Sequence, residues 1–278
     1  MGRRLNILRL ALWNLFQNCG FSMSGAVAFT FLLSLFPFCI FLGALAGTLG
    51  GRELAAYAVA QLFQLVPEPV AKAIAPEIER VMGSSQYGLL TGGAAIALFF
   101  ATSAVETLRA ALNMAYRVKE GRSYLFCLMQ SLFLVLMTAA GMLVLAWGVV
   151  VGPALAHSLD AETADWLHWF MTQDRISVAL RYAVVLSVTS AQLLTYHLLL
   201  VAGRRSFWDV WPGVLLSVVL WIVLAQIYSR WLGISDYSRF YAGLTQLFTA
   251  LIFFQATAIV VILGAEFNRA LGEVKANA

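Results

Sequence analysis

Charge is what this sequence has least of. Asp, Glu, Lys and Arg make up 12% of its 278 residues, about half the share found in a soluble domain. That deficit excludes an ordinary soluble enzyme and a chain kept disordered by its charge. Cysteine is scarce as well. Cys19, Cys39 and Cys127 show no metal or redox spacing, so small packed side chains are expected rather than a disulfide framework or a metal site. The histidines, His157, His168 and His197, are equally scattered. A Gly-rich nucleotide motif is missing. So is a convincing cleavage site after Met1-Gly-Arg-Arg, which makes the first apolar segment a retained anchor. Asn6 stands where myristoylation would need Ser or Thr. No cofactor and no metal are expected.

What the chain has instead is apolar length. Hydrophobic residues reach 61% and mean hydropathy is +0.82, concentrated in blocks separated by short charged stretches. A bilayer core of about 30 Å needs about 20 helical residues. Six stretches qualify: 23–49, 87–105, 125–155, 176–202, 210–233 and 243–266. Lipid offers backbone groups no partner, so each should be helical. The expected fold is all-α: one polytopic membrane domain over residues 1–278, with six transmembrane helices and amphipathic interfacial helices. Pro37 should kink the first span. The second should run on as a helix to about Tyr116.

The net charge of +4 comes from basic residues spread among loops rather than gathered in a patch, so nucleic acid is not an expected partner. Arg3, Arg4, Arg9, Arg109, Arg117, Lys119, Arg122, Arg204, Arg205, Arg269 and Lys275 fall on one side, 11 of the 18 Lys and Arg. The positive-inside rule then places both termini in the cytoplasm. Residues 3–18 carry Leu5, Leu8, Leu12, Leu15 and Phe16 at helical spacing, suiting a helix on the cytoplasmic interface. The outer loop, 52–83, shows two short amphipathic patterns around Pro67, Pro69 and Pro76, or is a simple ordered loop. Gly43-xxx-Gly47, Gly88-xxx-Gly92 and Gly148-xxx-Gly152 suit close helix packing.

Polar groups inside apolar runs are the functional candidates, because lipid excludes them unless they are used. In the fourth span Arg181, Gln192, Thr195 and Tyr196 share one stripe, with Ser190 and His197 nearly opposite. A helix polar on two sides is expected inside the bundle. Arg175, Arg181, Arg230 and Arg239 lie near the outer ends of spans four and five, on the side that should be poor in arginine. Guanidinium forks suit phosphate and carboxylate. An outward pocket for an anionic group would therefore use Arg175, Arg181, Gln192, Tyr196, His197, Arg230 and Arg239. Against it stands snorkelling, or pairing of Arg181 with a loop acid. On the cytoplasmic side Glu106, Arg109, Asn113 and Arg117 form one stripe, a gate or else a solvated exit helix. Glu266, which ends the last span, joins these gating candidates; it is expected to pair with a loop arginine such as Arg204 or Arg205, or in a dry site to carry a proton. Gln130, Gln226 and Gln246 read as isolated interhelical hydrogen bonds.

Four motifs occur in succession: Ala26-Val-Ala-Phe-Thr-Phe-Leu-Leu-Ser-Leu-Phe-Pro37, Ala110-Ala-Leu-Asn113-Met-Ala-Tyr116, Trp211-Pro-Gly213 and Leu263-Gly-Ala-Glu-Phe-Asn268. Together they resemble the YihY/BrkB family of bacterial inner-membrane proteins over essentially the whole chain. Phe-Thr replaces the commoner Tyr in the first motif. The resemblance implies a six-helix inner-membrane protein linked to serum resistance or export of envelope lipids, and brings an older ribonuclease label without agreed catalytic residues. The expected function is transport or handling of an anionic envelope lipid or small anionic solute, and not enzymatic. The alternative is a membrane scaffold for a lipid-transfer system. Expected partners are the bilayer, anionic lipid headgroups, and a second copy of the chain or an envelope lipid-transfer protein.

Overall fold

The computed structural model describes residues 2–34, 37, 87–146, 174–234 and 244–276, and every regular element among them is helical. In chain order these are α1 (Gly2–Gln17), α2 (Gly20–Ser34), α3 (Tyr87–Ala115), α4 (Tyr124–Ala146), α5 (Asp174–Thr195), α6 (Phe207–Ile234) and α7 (Leu244–Ala276). A π-helical turn over Tyr196–Leu200 extends α5. The expected outer loop 52–83, the Gly43/Gly47 and Gly148/Gly152 pairs, and Arg239 lie outside the described residues.

Among the described residues four helices are long and apolar enough to cross a membrane, through Tyr124–Gly141, Ala183–Leu200, Phe207–Tyr228 and Phe248–Val274. Much of their apolar surface points outward. Phe126, Met129, Phe133 and Leu136 form an exposed ridge on α4, and Leu215, Val219, Ile222 and Ile227 do so on α6. Apolar exposure on this scale calls for a lipid surround. Hydroxyls in these helices fold back on their own turns: Thr138 donates to the Leu134 carbonyl at 2.7 Å and Thr195 to that of Ala191 at 2.8 Å. Back-bonding satisfies the hydroxyl donor within its own helix. α5 is less enclosed than its two polar faces suggest. Only 11% of its apolar window is buried, against 39% for α7.

The helices close into a ring. α6 packs on α7, α7 on α3, α3 on α4, α4 on α5 and α5 on α6, while the π-turn touches both α3 and α6. Leu112, Leu134, Leu200 and Ile262 are fully buried where these elements meet. The closest approach is between α6 and α7. A Cβ on Gly213 would collide with the Gly264 carbonyl and the Asn268 side chain, and one on Gly264 with Ser217 and the Gly213 backbone. Small residues permit this packing.

α1 lies against α7 outside the ring. Its buried seam is Ile7, Ala11 and Leu15, one residue every fourth position. Of the leucine stripe, Leu15 joins that seam, whereas Leu12 and Phe16 face outward with Trp13. The chain turns into α2 at Cys19, whose φ of 56° is left-handed.

Candidate functional site

The polar residues gather at one end of the ring, where α3, α4, the π-turn and α7 converge. The first component is the stripe on α3. Arg109 donates to both Glu106 carboxylate oxygens at 2.6 Å, to the Cys127 carbonyl at 2.8 Å and to Ser131 Oγ at 2.7 Å. Ser131 in turn donates to Glu106 at 2.6 Å. A buried guanidinium is tolerable because several acceptors surround it.

The end of α3 supplies the second. Val118 N–H reaches back to the Asn113 carbonyl and Arg117 N–H to that of Met114, both at 3.0 Å, the pattern of a Schellman cap. Such a cap favours glycine at its left-handed position, yet Arg117 occupies it with φ 55°. Its guanidinium compensates. It donates to the Ala115 carbonyl at 2.7 Å and to Glu266 Oε1 at 2.7 Å, linking α3 to α7 across 149 positions of sequence. Strain of this kind persists where surrounding contacts over-determine the backbone.

The loop after α3 then clasps the π-turn. Arg122 makes a two-pronged pair with Glu120, Nε to Oε1 and Nη2 to Oε2, each at 2.7 Å. The same guanidinium donates to the Leu200 carbonyl at 2.6 Å and to that of Leu199 at 3.0 Å, and Gln130 adds a bond to Leu199 at 2.8 Å. A helix end leaves carbonyls without intrahelical donors, and cations there are favourable. Asn113 completes the link, donating to Glu120 at 3.0 Å and accepting from Ala202 N–H at 2.8 Å. Bonding to Arg122 holds the Glu120 carboxyl down at about 2, and the pairing raises Arg122 above the usual guanidinium value.

Tyr116 and Asn268 form the innermost part. Asn268 accepts from Gly213 N–H at 2.6 Å and donates to the Val210 carbonyl at 2.8 Å. It thus enters the backbone ladder of α6 beside Pro212, which has no N–H to give. The same amide donates to Tyr116 OH at 3.0 Å, and that hydroxyl meets His197 Nδ1 at 2.9 Å. The imidazole tautomer sets which of the two donates, since the hydroxyl can accept from both Asn268 and His197 or donate to His197. His197 Nε2 is buried without a partner among the described residues. The Arg205 guanidinium carbon lies 4.2 Å from the Tyr116 ring centre. Burial pushes the Tyr116 phenol up to about 12 and the Arg205 guanidinium down.

Further along α5, Gln192 donates to Thr138 Oγ1 and to Tyr196 OH, and Thr138 meets Tyr196, all at 2.7 Å. This neutral triangle joins α5 to α4.

Of the expected outward-pocket residues, Gln192 and Tyr196 meet in that triangle, while His197 turns to Tyr116. Arg230 is exposed on α6. Arg175 and Arg181 belong to α5, but their side chains, like Arg239, lie outside what the structure describes. Among the cytoplasmic set, Glu106 pairs with Arg109, while Asn113 bridges Glu120 and Ala202. Glu266 pairs with Arg117 rather than Arg204 or Arg205, because Arg205 lies over Tyr116. Gln130 makes the expected interhelical hydrogen bond, to Leu199, and is not isolated, since at 3.2 Å it also accepts from Arg109 and Arg122. Glu120 and Arg122 escaped sequence reasoning as site residues, since a loop ion pair two positions apart looks solvated. Among the described residues no group of three or more His, Cys, Asp or Glu could hold a metal ion.

Three of the four sequence motifs thus meet in space: Asn113 and Tyr116, Gly213, and Glu266 with Asn268. Comparison with known proteins agrees with them. The chain belongs to the BrkB family, described as virulence factor BrkB, which matches residues 14–278. It is 25% identical over 257 residues to "Putative ribonuclease-like protein YfkH" of Bacillus subtilis (strain 168), covering 92% of this chain and 91% of that protein. No solved structure matches it. Family and apolar helices together give a membrane location.

Proposed function

We propose that this BrkB-family chain is a multi-pass inner-membrane protein that moves or handles an anionic envelope lipid or small anionic solute, with the polar clasp as its closed cytoplasmic end. In this reading the chain crosses six times, with both termini in the cytoplasm. The first span starts with α2 and the second is α3. The arginines of the clasp, Arg109, Arg117, Arg122 and Arg205, fall on the side that the positive-inside rule makes cytoplasmic. The protein acts without a cofactor and without catalysing a covalent step.

One observation carries this reading. Polar side chains on apolar helices turn toward one another rather than toward lipid, and they tie the ring shut at one end through a loop, a π-turn and an ion pair. π-turns recur at functional sites, and water can replace the polar contacts that hold the closure. By sequence position, Arg175 and Arg181 in the first turns of α5 and Arg230 near the end of α6 are the cations that this reading assigns to an anion entering from the far side.

The test is purified protein in liposomes carrying labelled phosphatidylglycerol. Faster crossing between leaflets than in protein-free vesicles is expected, lost when Arg181 and Arg230 are both replaced by Gln. Crossing unchanged in that variant removes the arginine site. No crossing of lipid or anionic solute without a second protein replaces transport by a scaffold role. RNA cleavage by the purified chain would revive the nuclease reading, which rests on the name of the relative.

A further inference from the structure

The outer face of α1 takes no part in the ring or the clasp. Arg9, Leu10, Leu12, Trp13 and Phe16 line an open groove of about 530 Å³ there. Trp13 is 61% exposed and Phe16 65%, although both lie on a helix whose opposite face is firmly seated on α7. Phe16 also stacks against Phe21 of the next helix, with ring centres 4.8 Å apart. Beyond it the exposed side chains Phe29 and Leu33 continue the apolar surface along α2. One end of this surface is cationic. Arg9 is exposed, Arg3 and Arg4 precede it on the same helix, and the first acidic residue of the chain is Glu53.

We propose that this groove binds an anionic phospholipid, its phosphate on Arg9 and its acyl chains across Leu12, Trp13 and Phe16. The chemistry fits a lipid on three counts. A guanidinium pairs with phosphate through a two-pronged fork. Tryptophan suits the boundary between headgroups and hydrocarbon. The apolar floor meets, through Phe16 and Phe21, a helix that exposes Phe29 and Leu33, surface that acyl chains can cover. A soluble acidic partner would satisfy the arginines but leave that floor uncovered. The groove holds lipid whether or not the chain moves one, so it stands apart from the transport reading.

Native mass spectrometry of the full chain in detergent, offered phosphatidylglycerol and phosphatidylcholine of equal chain length, tests this. Wild type should retain phosphatidylglycerol preferentially. Arg9→Glu should weaken that retention by about five-fold or more, as expected for loss of one interfacial arginine. Trp13→Ala with Phe16→Ala should lower retention of both lipids. Arg9 and Trp13 lie off the buried seam, so thermal unfolding of the variants should match wild type, and this control separates lost binding from lost folding. Equal retention of the two lipids by wild type, or unchanged retention in Arg9→Glu, overturns the proposal. So does spontaneous disulfide cross-linking of Trp13→Cys copies in a background without native cysteines, which would show the face covered by a second chain.

Discussion

The clasp and the Gln192–Thr138–Tyr196 triangle are both polar, yet they use different chemistry. The triangle, within the apolar windows of α4 and α5, is wholly neutral, each hydroxyl or amide finding a partner at 2.7 Å. The clasp is charged, and two of its pairs are lopsided. Arg109 is 3% exposed and its partner Glu106 30%. Glu266 is 1% exposed and its partner Arg117 27%. Each pair puts one charge in the packed interior and leaves the other partly in contact with the surroundings. The lesson is about where a charge can be stranded. Removing the more exposed member leaves a dry, unpaired charge, whereas removing the buried member frees a group that can turn outward.

That asymmetry can be tested directly. Arg117→Gly relaxes the left-handed backbone but leaves Glu266 buried alone, so unfolding in detergent should show a loss of about 3 kcal/mol. Asn268→Ala removes the bonds to Gly213 N–H, the Val210 carbonyl and Tyr116 OH from a buried site, and should cost about 2 kcal/mol in the same measurement. Glu266→Gln removes the buried member and leaves Arg117 free to reorient, so the loss should stay below about 1 kcal/mol. Adding Glu266→Gln to Arg117→Gly should recover most of the first loss. Equal losses in the two single variants would break the comparison.

The smallest effect concerns acid. Glu120 titrates near 2 in the fold against an ordinary 4.5. A lowered folded value means that its contribution is complete above about 4.5 and fades as the pH falls toward 2. The melting-temperature difference between wild type and Glu120→Gln should therefore be constant from pH 8 to pH 5 and shrink only below. A difference that already changes between pH 8 and pH 6 would assign the clasp's pH response to another group.

Helices were the legible part of this molecule. Apolar runs and the lipid requirement placed the starts of α4, α5 and α6 within a few residues, because hydropathy is a local property; the expected end of the third span lies outside the described residues. The last span was read as ending at Glu266, whereas the apolar stretch runs to Val274 and the helix to Ala276. Arg269 and Glu273 are carried within it, and those two side chains pair with each other. Partners were harder. A wheel of 100° per residue correctly separated Tyr196 from His197, yet gave no hint that Leu199 and Leu200 would present carbonyls to Arg122, since a π-turn has no signature in composition. The left-handed conformation of Arg117 was equally silent, and it alone aims that side chain at Glu266. Asn113, Tyr116, Gly213 and Asn268 were visible only as motif members, and their meeting depends on how α3, α6 and α7 cross.

The insertion of Asn268 beside Pro212 has a mechanical consequence. The amide serves α6 as a borrowed rung, supplied by α7, while Gly213 and Gly264 leave no slack between the two backbones. Sliding one helix past the other would break two main-chain bonds at once and drive backbone into backbone. The two helices are therefore coupled like a splined shaft, and any rearrangement of the ring must carry them together and pivot elsewhere.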